Sequence, residues 1–159
     1  MRLTSFSDYA LRLLIFAATR PEKLVTIAEV SRVYGISRNH LMKITSALAQ
    51  GGYVETQRGN GGGLRLARPP SEISIGAVLR LTEASTDLVE CADRRTNTCV
   101  IAPACGLMGV LFDALQAFYE RLDRVTLADV TRNPERLNRI FELQSQRGPE
   151  APGQGLPSA

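Results

Sequence analysis

The sequence predicts a mainly α-helical fold with a small β wing, a winged helix-turn-helix head followed by a long dimerisation helix. Three observations predict it. Two short amphipathic segments are split by Gly35, two strand-type segments flank a glycine-rich run directly after the second of them, and an apolar stripe at helical spacing begins at Leu107.

The first helix is expected over residues 5–20. Phe6, Tyr9, Leu13, Phe16 and Ala17 fall at helical spacing, Ser5 and Asp8 stand in capping-box relation, and Pro21 lies just past the end. Thr26 and Glu29 repeat the capping pattern and open a second helix through Val30 and Val33, which Gly35 ends. Ser37 caps a third helix with Leu41, Ile44 and Leu48 on one face, stopping at Gly51-Gly52. Strand-type segments follow at residues 53–56 and 64–67, around Gln57-Arg58-Gly59-Asn60-Gly61-Gly62-Gly63. Pro69-Pro70 closes the head.

Ser74 caps a short helix through Val78 and Leu81. A stretch with little periodicity holds all three cysteines of the chain. The stripe Leu107, Leu111, Ala114, Phe118, Leu122, Val125 alternates threes and fours, the seam of a long helix. Such a stripe packs within its own chain or against a second copy across a two-fold axis, and the second arrangement would set two heads at half-site spacing. Thr126 to Asp129 opens another short helix, and Asn133-Pro134 begins a last one with proline in its tolerated first position. The expected organisation is therefore a head at 1–70, a linking helix at 71–84 and a cysteine loop at 85–106. Dimerisation and C-terminal helices follow at 107–143, then a disordered tail at 144–159.

Charge separates the halves. Residues 1–70 carry ten Lys/Arg against four Asp/Glu, while residues 71–159 carry nine against twelve. The basic half is where a polyanion would bind. The N-terminal apolar run is interrupted by Arg12 and lacks a small-residue cleavage site, and no run reaches the ~18 apolar residues of a membrane span. A cytoplasmic protein without membrane contact is expected.

In a helix-turn-helix the second helix enters the major groove with its N-terminal side chains at the base edges. Here those are Ser37, Arg38, Asn39 and His40, with Lys43 one turn on. Arginine pairs with guanine, asparagine with adenine, and lysine suits phosphate. In the wing, Arg58, Asn60 and Arg65 are the expected contacts, and the glycines allow close backbone approach. The run GNGGG matches neither a P-loop nor a dinucleotide fingerprint. His40 is the chain's one histidine and has no serine or carboxylate arranged about it in sequence, so no enzymatic activity is expected.

Cys91, Cys99 and Cys105 are spaced too widely for the CxxC pairs of common zinc sites or thiol-exchange catalysts. An odd thiol number in a reducing compartment argues against a disulfide framework. Spacing alone leaves an iron–sulfur cluster, zinc and plain core thiols as open alternatives.

MRLTSFSDYALR at the start, RGNGGGLRLA in the wing, and LVEC, TCVIAPACGL and ALQAFYERLDRVTLADV further on resemble one family. It is the NsrR family of nitric-oxide-sensing iron–sulfur repressors, within the winged-helix regulators that also include IscR. The resemblance runs from Met1 to about Phe141. It implies a homodimer that represses from double-stranded operator DNA, with nitric oxide as its signal. The implied cofactor is a 4Fe–4S cluster, with 2Fe–2S the alternative, held by Cys91, Cys99, Cys105 and Asp8 reaching from the other subunit. The histidine that IscR-like members place shortly after the third cysteine is missing, since Gly106, Leu107 and Met108 stand there. The resemblance also implies nitric oxide detoxification or denitrification genes as targets. A sensor of iron or cluster status and a zinc-bound or metal-free repressor are the alternatives. Arg94 and Arg95 in the same loop are candidates to offset an anionic cluster.

Overall fold

The computed structural model describes residues 2–59, 61–83, 88–93 and 95–147. Asn60, Arg94 and residues 148–159 of the expected tail lie outside them. Seven helices and one hairpin follow in order among the described residues. They are α1 (Ser5–Ala18), α2 (Ile27–Tyr34), α3 (Arg38–Gln50), β1 (Val54–Gln57), β2 (Gly63–Leu66), α4 (Ile75–Thr82), α5 (Leu107–Asp123), α6 (Leu127–Val130) and α7 (Pro134–Arg147).

α1 runs through the middle of the core. Ala10, Leu13 and Leu14 are fully buried, and α3, α4, α6 and β2 pack around them. The start of α1 differs from expectation. Thr4 is the N-cap, and its hydroxyl accepts from the Ser7 N–H at 3.2 Å. Ser5 is already helical, so Asp8 lies one residue too late to close a capping box. The carboxylate that answers the Thr4 N–H comes instead from Glu83 at the far end of α4, at 2.9 Å, with the Thr4 hydroxyl at 3.1 Å. Burial pushes the Glu83 carboxyl up, but hydrogen bonds from Ser7 and Thr4 outweigh it and hold it below its ordinary range.

The helix-turn-helix forms as local chemistry dictates. Thr26 and Glu29 complete a reciprocal capping box on α2, and Gly35 ends that helix in the left-handed region at φ 65°. Ser37 caps α3, accepting from the His40 N–H at 3.3 Å. Leu41, Ile44 and Leu48 turn inward as their spacing predicts. β1 and β2 pair antiparallel, Val54 opposite Leu66 and Gln57 opposite Gly63. The hairpin is also fastened to the chain before α2, where Val25 and Leu64 exchange both backbone hydrogen bonds at 2.8 Å. At the wing tip Gly59 and Gly61 take positive φ, and a side chain on Gly62 would collide with the Gln57 carbonyl. Arg68 lies over the Tyr53 ring, and its guanidinium donates to the Gly52 carbonyl at 2.9 and 3.0 Å and to the Gly51 carbonyl at 3.4 Å. The wing is thereby bolted to the end of α3.

The later helices join the same core. Val78 and Leu79 of α4 are buried, as is Leu127 of α6. α7 folds back on α2 and places Phe141 against Phe16 and Tyr34, with ring centroids 5.0 and 5.7 Å apart. Asn138 Nδ2 ties it down by donating to the Thr19 carbonyl at 3.0 Å. α7 continues to Arg147, four residues into the stretch expected as tail, because Gln144, Ser145, Gln146 and Arg147 extend a helix already anchored at Phe141. No helix among the described residues is long and apolar enough to cross a membrane.

The apolar residues of α5 divide into two groups along its length. Towards its C-terminal end Phe118, Leu122 and Val125 are half-buried within the chain, and Tyr119 is covered by α4, with the Arg80 guanidinium 4.6 Å from its ring. Towards its N-terminal end Leu107, Met108, Val110 and Phe112 stand exposed.

Candidate nucleic-acid interface and cysteine loop

Ser37 holds the N-terminus of α3, and Arg38, Asn39, His40 and Lys43 are exposed beyond it on the first turns. Leu41, Ile44, Thr45 and Leu48 occupy the opposite face, so packing of α3 decides which side chains are offered outward. Met42 is also exposed, a position that a search for polar readers passes over although an apolar side chain suits a thymine methyl. His40 is 6.5 Å from Tyr9 of α1, measured between ring centroids.

In the wing Arg58 is exposed. Arg65, expected to bring charge to phosphates, pairs across the hairpin with Glu55 at 2.9 and 3.1 Å. Register explains this, since Glu55 and Arg65 are directly opposed on adjacent strands. Such an exposed pair is worth about 0–1 kcal/mol, so a phosphate can displace the carboxylate.

The three cysteines lie in the segment joining α4 to α5, and all are free and half-buried. No described residue from Leu88 to Gly106 is buried, so no apolar core fixes this segment. Polar side chains do so instead. Glu90 accepts from the Thr98 N–H at 3.1 Å and the Thr98 hydroxyl at 2.6 Å. Asn97 Oδ1 accepts from the Cys99 N–H at 2.9 Å, and Asp93 takes the Arg95 N–H at 2.9 Å. Arg95, expected as a possible counter-charge, is exposed and spends its guanidinium on Asp93 at 3.3 Å. Two successive turns then lead from Cys99 to Cys105.

Asp8 is half-exposed on α1 and makes a two-point ion pair with Arg12, at 2.7 and 3.0 Å. Among the described residues, no group of three or more His, Cys, Asp or Glu side chains is arranged to hold a metal within one chain. The donor chemistry nevertheless fits an iron–sulfur cluster. Three uncommitted thiols, half-sheltered on one short segment, are soft ligands of the type such clusters take. A cavity of about 580 Å³ lies between α5 and the segment 88–92, lined by Val89, Met108, Phe112 and Tyr119 among others, with Arg80 of α4 at its wall and no cysteine in its lining.

The family model described as "Rrf2: Iron-dependent Transcriptional regulator" matches residues 3–133. The HTH-type transcriptional regulator NsrR of Bacillus subtilis is 48% identical over 145 residues, covering 91% of this chain and 99% of the relative. Among solved structures, IscR of T. potens superposes with a TM-score of 0.66 at 24% identity, over 86% of this chain and 90% of that one. The oxidised form of Staphylococcus aureus CymR gives 0.65 at 22% identity, over 82% and 96%. These two likenesses support the winged-helix fold. Relatives so named, matched over nearly their whole length, make this chain a transcriptional regulator rather than an enzyme, and it belongs to the Rrf2 family.

Proposed function

We infer that the protein is a homodimeric repressor whose binding to double-stranded operator DNA depends on an iron–sulfur cluster and is released by nitric oxide. The genes it controls serve nitric oxide detoxification or denitrification. One observation carries the reading. Three free, half-buried thiols sit on the segment between the DNA-binding head and α5, in a chain 48% identical to a regulator named NsrR. When bound, the cluster, most simply 4Fe–4S, supplies iron sites that nitric oxide ligates avidly.

The chain's own residues set the rest. Arg38, Asn39 and His40 face base edges and Lys43 a phosphate, while Ser37, whose oxygen caps α3, keeps a hydroxyl proton to offer a phosphate. Arg58 and Arg65 bring wing charge to the backbone, Arg65 by exchanging Glu55 for phosphate, and Asn60, between Gly59 and Gly61 in the sequence, is a further contact. The exposed Leu107, Met108, Val110 and Phe112 are the face a second copy covers, since a monomer rarely leaves such a patch in water. Cys91, Cys99 and Cys105 hold the cluster from one subunit, and the partner subunit's Asp8 completes the set. Asp8 is already half-exposed on the outer side of α1, and Arg12 holds its carboxylate in one orientation. A ligand set that spans one subunit's loop and the other's head makes head spacing depend on that set remaining whole. Each misplaced base contact costs roughly 1–3 kcal/mol, so losing a few removes specific binding.

Nitric oxide titrated into anaerobically loaded protein should abolish specific operator binding. Operator affinity that is unchanged after nitrosylation overturns the reading. A response to iron withdrawal without one to nitric oxide points to cluster-status sensing instead, and colourless, iron-free protein to the zinc-bound or metal-free repressor.

A further inference from the structure

We propose that Glu90 is the positioning residue of the cysteine loop, clamping Thr98 so that Cys91 and Cys99 are presented together as ligands. This rests on the cluster-binding reading above and adds a residue to it. Glu90 immediately precedes Cys91, and Thr98 immediately precedes Cys99. The Glu90 Oε1 atom takes both Thr98 donors, the N–H at 3.1 Å and the hydroxyl at 2.6 Å. One side chain therefore closes residues 90–98 into a ring whose two ends each adjoin a cysteine.

The ring is braced from inside. The Asp93 carbonyl accepts from the Thr96 and Asn97 N–H groups at 3.2 and 3.0 Å, and Asn97 Oδ1 takes the Cys99 N–H at 2.9 Å. Nothing apolar substitutes for these bonds, since no described residue from Leu88 to Gly106 is buried. Seven residues separate the two thiols, and closing such a segment on a metal costs chain entropy. The clamp meets that cost before the metal arrives. Charge does not explain Glu90. A carboxylate next to an anionic thiolate cluster is repelled by it, so an acid here is favoured by the two donors it satisfies. An amide oxygen of the same shape can accept the same two bonds, which separates positioning from both ligation and charge.

The test uses the full chain with Glu90→Ala, Thr98→Val and the conservative Glu90→Gln. After anaerobic reconstitution, cluster loss to an iron chelator is followed by the visible absorption and circular dichroism bands. Orienting partners of metal ligands typically contribute about 10- to 100-fold in affinity. Glu90→Ala should lose its cluster at least tenfold faster than wild type, Thr98→Val by a smaller factor, and Glu90→Gln close to the wild-type rate. In metal-free protein, hydrogen exchange at the Thr98 and Cys99 amides should speed up about fivefold or more in Glu90→Ala. Equal cluster lifetimes in Glu90→Ala and wild type overturn the proposal, as does a Glu90→Gln variant that fails like Glu90→Ala. Wild type that takes up no iron overturns the cluster reading instead, and unchanged amide exchange in that metal-free protein then removes the clamp as well.

Discussion

The head and the cysteine loop are built by opposite means. In the head, α1 is enclosed on several sides, helix ends are capped by hydroxyls and carboxylates, and Leu13, Leu14, Leu41 and Leu48 are fully buried. Burying each such side chain contributes about 1.5–3 kcal/mol, so the helix-turn-helix is packed in place before any ligand arrives. The loop from Leu88 to Gly106 buries no described residue and is held by Glu90 and Asp93 through exposed hydrogen bonds and by Asn97 through a part-buried one. Water competes for the exposed bonds among these, so they hold the loop far less firmly than burial holds the head. The contrast teaches a division of labour. The helix-turn-helix head is completed by folding, and the cysteine loop, on the function proposed above, is left for a ligand to complete.

Substitutions in each region sharpen that contrast. Leu14→Ala opens a cavity beside α1 and should lower unfolding free energy by about 2–5 kcal/mol in chemical denaturation. A loss under 1 kcal/mol would mean the head is looser than its packing indicates. Thr26→Ala removes the α2 cap and one half of its capping box, and should cost about 1 kcal/mol by the same measurement.

Acid should act on the head through its capping carboxylates. Burial pushes Glu29 up, but hydrogen bonds from the Thr26 N–H and hydroxyl, with Lys23 and Arg20 nearby, hold it below its ordinary range. A lowered folded-state pKa means the contribution is complete above the unfolded value of about 4.3 and is lost as pH falls through the folded one. Thermal midpoints should therefore decline below pH ~4.5, less steeply in Glu29→Gln, which has no carboxylate to protonate there. The smallest effect belongs to the loop. Cys99→Ala in metal-free protein should leave unfolding free energy within about 0.5 kcal/mol of wild type. A larger loss would assign the loop to the folded core and erase the contrast.

Legibility in the sequence follows the range of each interaction. The Thr26–Glu29 box, the Gly35 terminus, the Ser37 cap and the inward face of α3 all rest on residues within one or two helical turns, and all were readable. The partner of Thr4 was not, because Glu83 lies 79 positions away and only packing of α4 on α1 brings it there. A still longer separation hid the return of Phe141 to Phe16. The pairing of Arg65 with Glu55 was not readable because the carboxylate opposite it is set by strand register rather than by sequence proximity. Asp8 read as a cap when its neighbour is Arg12, four residues on and one turn along the same face. The cysteines announced themselves by type and spacing. The staple from Glu90 to Thr98 did not, since nothing in two polar residues eight apart distinguishes a bond from a coincidence.

The bolt formed by Arg68 has a consequence for docking. Its guanidinium joins the carbonyls of Gly51 and Gly52 to the hairpin, so α3 and the wing would approach a duplex as one piece. Little internal freedom remains to be surrendered on contact, and a tilt imposed on either element is inherited by the other. A displacement too small to disturb any single base contact can thus misalign groove and backbone contacts simultaneously.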